Sequence, residues 1–161
     1  ITSHIFDMVH KQISNLRMKE FDNVQNNFAE IILSKVNEWQ NENPDIVTDI
    51  AINGPFSDID TNTLFTIYRL VQESLTNIQR HSNANNVTIT VERIEKFIAL
   101  IVSDDGYGCD LDNSTEGFGL LGMKERVIEC KGLFKTVSSQ GNGFAIYVLL
   151  PCNIPTGAKE K

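Results

Sequence analysis

The sequence has few cysteines, prolines and tryptophans: three, four and one in 161 residues. Cys109, Cys130 and Cys152 are odd in number and far apart, so they form neither a disulfide framework nor a CxxC metal pair. They read as reduced thiols of a cytosolic protein. Long apolar runs are missing too. Phe97 to Val102 is among the longest and is strand-sized, which leaves no transmembrane helix, and no signal peptide is visible. There is no repeat and no low-complexity tract. Positive charge is scarce: 14 Lys and Arg stand against 21 Asp and Glu, for a net charge of -7. That balance argues against a nucleic-acid binder, which normally shows a basic face. Any anionic ligand must then be held locally, by backbone N–H groups, a metal ion or a few placed cations.

What is present is enough for one domain. The length suits a single core, and 41% of residues are hydrophobic, an ordinary share for a globular protein. The first residue is Ile rather than Met, which suggests a piece of a longer protein. Ile5, Val9, Ile13 and Leu16 form one apolar stripe, so a helix is expected over residues 1 to 25. A second helix is expected over residues 28 to 41, with Phe28, Ile31, Ile32, Lys35 and Trp39 on its inner side, stopped by Asn43-Pro44. Residues 46 to 52 read as a strand, broken by Asn53-Gly54-Pro55. Asp60 or Thr61 caps a third helix running to His81. Leu64, Ile67, Val71, Leu75 and Ile78 mark its buried stripe.

Two strands follow. Val87, Ile89 and Val91 alternate with polar residues, which gives one wet face. Phe97 to Val102 is continuously apolar, which predicts a central strand covered on both sides. Residues 103 to 119 form a long loop rich in Gly, Asp, Asn and Ser, and such loops are usually functional or mobile. A helix over residues 120 to 130, ended by Gly132 as its cap, precedes strands at 133–137 and 144–150. Residues 152 to 161 read as a tail. The expected architecture is an α/β sandwich of two layers, a mixed sheet with its helices on one face.

Three elements carry possible chemistry. Arg69, Glu73, Asn77 and His81 recur every four residues, so they share one side of the third helix, turned away from the buried stripe. A polar stripe alone is usually a solvated face. Asp104-Asp105-Gly106-Tyr107-Gly108 leaves the apolar strand directly. A carboxylate there can accept a hydrogen bond from an amino group, and the glycines let the backbone turn and approach a flat ligand closely. Alone this would read as a turn. Gly117-Phe118-Gly119-Leu120-Leu121-Gly122-Met123 then opens a helix, whose unpaired N–H groups and dipole suit a phosphate. Lys124 and Arg126 add positive charge nearby. The run is not a Walker loop, because Gly-Lys-Ser/Thr is missing, and no dinucleotide fingerprint is present.

Together, in this order and spacing, the three elements resemble the GHKL ATPases, the superfamily of histidine kinases, type II topoisomerase ATPase domains, Hsp90 and MutL. The run Tyr68 to His81, the turn Asp104 to Gly108 and the run Gly117 to Val127 are most similar to the ATP-binding domains of sensor histidine kinases of the nitrate-sensor and hexose-phosphate-sensor group. The resemblance covers about residues 16 to 151. It divides the chain into residues 1–25, read as an N-terminal helix that would be the end of a dimerisation stalk, residues 26–151 as the ATP-binding catalytic domain, and residues 152–161 as the tail.

The resemblance implies ATP and Mg²⁺ as cofactors and assigns roles by position. Asn77 corresponds to the asparagine that coordinates Mg²⁺ between phosphates. Glu73 corresponds to the acid that polarises the acceptor or a water, and Arg80 and His81 to the basic end near the phosphates. Asp104 corresponds to the adenine-binding aspartate. Gly106 and Gly108 match the first glycine box, and Gly117, Gly119 and Gly122 the second, with Leu120 and Met123 beside them. The segment between the boxes corresponds to an ATP lid. Implied partners are a dimerisation domain carrying the phosphoacceptor histidine and a response regulator with a helix-turn-helix output. The implied setting is the cytoplasmic side of a membrane-anchored protein, with no direct nucleic-acid binding.

Two departures stand out. The family usually places Gly-x-Gly-Thr before its last strand, whereas Gly141-Asn142-Gly143 here precedes Phe144. Neither His4, followed by Ile5, nor His10, followed by Lys11, fits the phosphoacceptor pattern, so this fragment alone is not expected to phosphorylate itself. Two rival readings remain: an anti-sigma-factor serine kinase of the same superfamily, and a degenerate partner-binding domain without nucleotide.

Overall fold

The structure is a computed structural model and describes residues 24–112 and 118–152. All but the last two residues of the expected first helix, and the expected tail beyond Cys152, lie outside the described residues, as does Gly117. The described elements are α1 (Val24–Glu42), β1 (Val47–Asn53), α2 (Thr61–Asn77), β2 (Asn86–Ile94), β3 (Phe97–Asp104), α3 (Phe118–Glu129), β4 (Leu133–Ser138) and β5 (Phe144–Pro151). Every element expected within those residues is present, with ends displaced by a few positions.

The strands form one sheet in the order β1-β2-β3-β5-β4. β1 and β2 are parallel and are joined through α2, because parallel neighbours need a crossover of helix length. The remaining pairs are antiparallel. Period-two alternation sends Val87, Ile89 and Val91 of β2, Ile98, Leu100 and Val102 of β3, and Ile146, Val148 and Leu150 of β5 to one face, where all are buried. The helices cover that face, with α1 and α3 each packed against α2. Ile67 and Leu70 of α2 are fully buried against it. Truncating one such side chain to alanine costs about 2–5 kcal/mol.

Four expectations change in detail. The strand over 97–102 is covered on one side only. Phe97 is 40% exposed and Ala99 and Ile101 are half-buried, because no described helix lies on their face. On α1 the buried stripe is Phe28, Ile32, Val36 and Trp39. Lys35 sits off that stripe and reaches Glu38 at the surface. The left-handed residue after α3 is Lys131, not Gly132. Lys131 N–H bonds the Ile128 carbonyl and Gly132 N–H the Val127 carbonyl, the paired pattern of a Schellman end. At the start of α2, Asp60 is the cap, accepting from Thr63 N–H at 3.0 Å. The far end of α2 does not run regularly to His81. It stops at Asn77 and continues as one π-helical turn, Ile78–Ser82.

Candidate functional site

That π-helical turn lies where α2 meets the ends of β3 and β5, and it shapes the site. Such turns insert one residue into the i→i−4 ladder and are frequent at functional sites. The extra residue changes which side chains point inward. Spacing by four holds from Glu73 to Asn77 and then breaks, yet both Arg80 and His81 border the same cleft as Asn77. Ser82 is buried and closes the turn by donating to the Ile78 carbonyl at 2.9 Å. Ser74 and Ile78 from the buried side of α2 also reach this cleft. The polar and apolar stripes, expected to be well apart, therefore meet at the end of the helix.

The cleft has a volume of about 340 Å³, within the range of small-molecule sites. Its sheet side is Val102, Asp104, Phe144 and Ile146, and its third wall is Gly108 and Cys109 with the start of α3. Asp104 ends β3 directly opposite Phe144 on β5. Its Oδ1 accepts the Gly106 N–H at 2.8 Å. Burial pushes this carboxyl above its ordinary value. The N–H groups of Gly106 and Phe144 offset that in part, and the neighbouring Asp105 charge adds to it. Asp105 moves the other way: the Asn86 side chain foremost, with the Asn85 and Asn86 backbone N–H groups, holds it below the usual range. Two adjacent aspartates are thus split between a half-buried acceptor facing the cleft and an exposed brace for the loop.

Two glycines of the first box act through the backbone. A Cβ at Gly106 would stand 2.0 Å from the Ser82 carbonyl oxygen, so only glycine lets the loop lie against the π-helical turn. Tyr107 N–H fixes the approach by donating to that same oxygen at 2.8 Å. Gly106 itself does not border the cleft. Gly108 does; it has a φ of +62° and lies against Ser139 and Gly143. The turn between β4 and β5 clasps the loop from outside: Gly141 N–H donates to Tyr107 O at 2.6 Å and Gly143 N–H to Gly106 O at 3.0 Å.

Gly119 and Gly122 of the second glycine run lie within α3 rather than before it. Gly119 falls in the first turn, where N–H groups have no helical partner. It packs onto α2: a Cβ there would come within 2.8 Å of Glu73 Oε1 and 3.5 Å of Asn77 Oδ1. Leu120 and Met123 close the cleft beside it. Gly122 does not border the cleft, and a Cβ there would meet nothing within 4 Å.

This is an apolar slot with one half-buried acceptor at its sheet end, and a helix N-terminus, an acid, an amide and two basic side chains at its other end. The family model for histidine kinase-, DNA gyrase B- and HSP90-like ATPases matches residues 63–154, the stretch that builds it. The chain belongs to this ATPase family. It is an ATP-binding domain of the kind that sensor histidine kinases carry. It is 31% identical over 147 residues to the histidine-protein kinase/phosphatase UhpB of Salmonella typhimurium, covering 91% of this chain and 29% of that protein. It is 37% identical over 92 residues to the kinase/phosphatase DegS of Bacillus subtilis, covering 55% of this chain and 24% of that one. The chain therefore spans less than a third of either relative. Its fold is similar to that of the mycobacterial sensor histidine kinase MprB, with a TM-score of 0.58 at 20% identity, over 77% of this chain and 93% of that structure.

Of the residues expected from sequence, this ATPase domain brings Glu73, Asn77, Arg80, His81, Asp104, Gly108, Gly119, Leu120 and Met123 to one cleft. Arg69, which shares their spacing, does not border it; its guanidinium stands 5.9 Å from the Phe65 ring centroid. Sequence reasoning missed Ser74, Ser82 and Cys109 as lining residues, along with Val102 and Ile146. The strand residues were findable, since Val102 and Ile146 are on the buried face one pair inward from Asp104 and Phe144. Ser82 depended on the π-helical turn, which spacing does not announce. No described helix is long and apolar enough to cross a membrane.

Proposed function

We propose that residues 26–151 are the catalytic domain of a two-component sensor histidine kinase, moving the γ-phosphoryl of Mg-ATP to a histidine on a separate dimerisation domain. The observation that carries this reading is the placement of Glu73 and Asn77 on α2 across one cleft from Asp104. Asp104 would accept the adenine amino group in the apolar slot. The phosphates would extend toward Asn77, Arg80, His81 and the first turn of α3. Among the described residues no group of three or more acidic, His or Cys side chains could hold a metal. That sparse set suits an ion that arrives with the triphosphate, since Mg²⁺ is usually held by one or two protein oxygens plus phosphate. Asn77 Oδ1 would supply one ligand, and the bound ion would neutralise phosphate charge that a chain of net charge -7 cannot offset alone.

Glu73 would orient and polarise the attacking histidine, a positioning role ordinary for phosphoryl transfer. Residues 1–25 would continue into the dimerisation stalk, and the phosphoryl group would pass on to a response regulator with a helix-turn-helix output. Such a domain would work on the cytoplasmic side of a membrane-anchored protein. The test is thermal melting with and without saturating Mg-ADP. Ligand at 100 times its Kd adds about 2.7 kcal/mol to the folded state, so the midpoint rises by several degrees. Incubation with ATP and a separately produced dimerisation domain then yields acid-labile phosphohistidine. An unshifted midpoint would leave the domain a binder of some other partner.

A further inference from the structure

Phe144 is half-buried and lines the cleft beside its most buried residues. It stands directly across from Asp104 in the sheet, borders the cleft and packs partly against the core. Val102 and Ile146, the next inward pair, are 3% and 2% exposed, and Met123 above them is 1% exposed. The two serine hydroxyls that reach this region have their protons engaged. Ser74 Oγ donates to the Leu70 carbonyl at 2.7 Å. Ser82 Oγ donates to Ile78 O and accepts from Ala84 N–H at 3.1 Å. On the sheet side, Asp104 is then the one side chain with acceptor capacity to spare.

We infer that Phe144 sets the purine selectivity of this site, its ring keeping water away from Asp104 so that the base itself must satisfy the carboxylate. The inference rests on the nucleotide-binding reading above. A 6-amino purine brings a donor to that acceptor. A 6-oxo purine brings a second acceptor, and oxygen then faces oxygen. In a wet site a water can donate to both and remove most of the penalty. In a dry one the mismatch stays, because a buried polar group without a partner is expensive. Burial also pushes the Asp104 carboxyl above its ordinary value, the direction expected where its hydration is reduced. A hydroxyl-bearing residue at position 144 would bring water and a further hydrogen-bonding group to the carboxylate.

The experiment is titration calorimetry of the 161-residue chain with Mg-ADP and with Mg-IDP, its 6-oxo counterpart. The parent chain is expected to prefer Mg-ADP by on the order of 100-fold, the upper range for a hydrogen bond to a charged group. In Phe144→Thr, a change that a strand tolerates, the ratio of Mg-ADP to Mg-IDP affinity should fall to below about tenfold, whatever happens to either affinity alone. Phe144→Leu, apolar and without a hydroxyl, should hold the preference to within about threefold of the parent. A parent chain that binds both nucleotides equally overturns the inference whatever the variants do. So does a Thr variant with the parent's ratio, or a Leu variant that loses as much selectivity as Thr. A parent chain that binds neither nucleotide overturns the functional reading itself.

Discussion

At the sheet end of the cleft, hydrogen-bonding groups are already engaged. Asp104 holds Gly106 N–H, Ser82 O holds Tyr107 N–H, and Ser138 Oγ accepts from Cys109 N–H while donating to Gly143 O. At the helix end, no hydrogen bond or ion pair among the described residues joins the side chains of Glu73, Asn77, Arg80 or His81, and the last two are exposed. The difference suits the roles proposed above for the two ends. A base has one shape throughout a catalytic cycle, so rigid pre-organisation lowers its binding cost without penalty. Phosphates, metal and acceptor change position and charge during transfer, and groups locked to one another would have to be released at each step. The cleft therefore joins a built end to an open one.

The most severe way to break this contrast is at Gly106. Alanine there would place its Cβ 2.0 Å from the Ser82 carbonyl oxygen and 2.7 Å from its carbon, backbone atoms that cannot swing aside. The loop and the π-helical turn would have to part. Gly106→Ala is expected to lower the stability of the ligand-free domain by about 3 kcal/mol, the upper range for overpacking, read from its urea midpoint. A midpoint equal to the parent's would mean that the sheet end is not rigid.

Next in size is Asp104→Asn, which separates recognition from folding. The amide oxygen can still accept from Gly106, but its N–H₂ meets the base's amino group donor to donor. Loss of a charge-assisted bond predicts a fall in Mg-ADP affinity on the order of 10- to 100-fold. The ligand-free domain should melt no lower than the parent. Burial raises Asp104 above its ordinary 3.8 in the folded chain, so the folded form gains its proton at a higher pH than the unfolded form. Its ionised state then adds no stability at neutral pH. Nucleotide affinity should consequently fall as pH drops through that raised pKa. Asp105, held below 3.8 by Asn86, behaves oppositely: its contribution to stability is present above 3.8 and disappears only at lower pH, as pH falls through its depressed pKa. A Kd flat across the acid range would show that the base does not use Asp104.

At the open end the expected loss is smaller and conditional. Asn77→Ala should weaken ADP binding about tenfold in Mg²⁺, the scale of one hydrogen-bond-strength contact, and hardly at all in EDTA. Equal losses in both media would make Asn77 a phosphate or packing residue rather than a metal ligand.

The same contrast explains what could be read from the sequence. Strand alternation from Val87 to Val91 and the 3–4 spacing from Leu64 to Ile78 are direct imprints of burial, so the elements and most of the core were legible. The continuous run Phe97–Val102 misled because apolarity alone does not say on which side a layer will sit; Ile98, Leu100 and Val102 are buried while Phe97 is not. Gly106 and Gly108 were recognisable as glycines with a task. Their tasks, clearing a carbonyl in one case and holding a φ of +62° in the other, needed coordinates. Asp104 was singled out by its place at the strand end and by the resemblance, but the bracing role of Asp105 was not legible. Identical side chains one position apart differ only through the strand's period and through Asn86, which neighbours Asp105 in space but stands 19 residues away in sequence.

The smallest predicted effect concerns Gly122, which repeats the spacing of the second glycine run without touching the cleft. It lies in the body of α3, and a Cβ there would meet open space. Glycine within a helix is less favourable than alanine by about 0.5–1 kcal/mol. Gly122→Ala should therefore raise the melting midpoint by about 2 °C and leave Mg-ADP affinity unchanged, provided that α3 keeps this position when nucleotide binds. If affinity instead falls by more than about threefold, roughly 0.7 kcal/mol, α3 must move over the ligand and bring Gly122 against it. The open end would then be completed by the nucleotide rather than waiting for it, and the value of a glycine here would lie in the bound state.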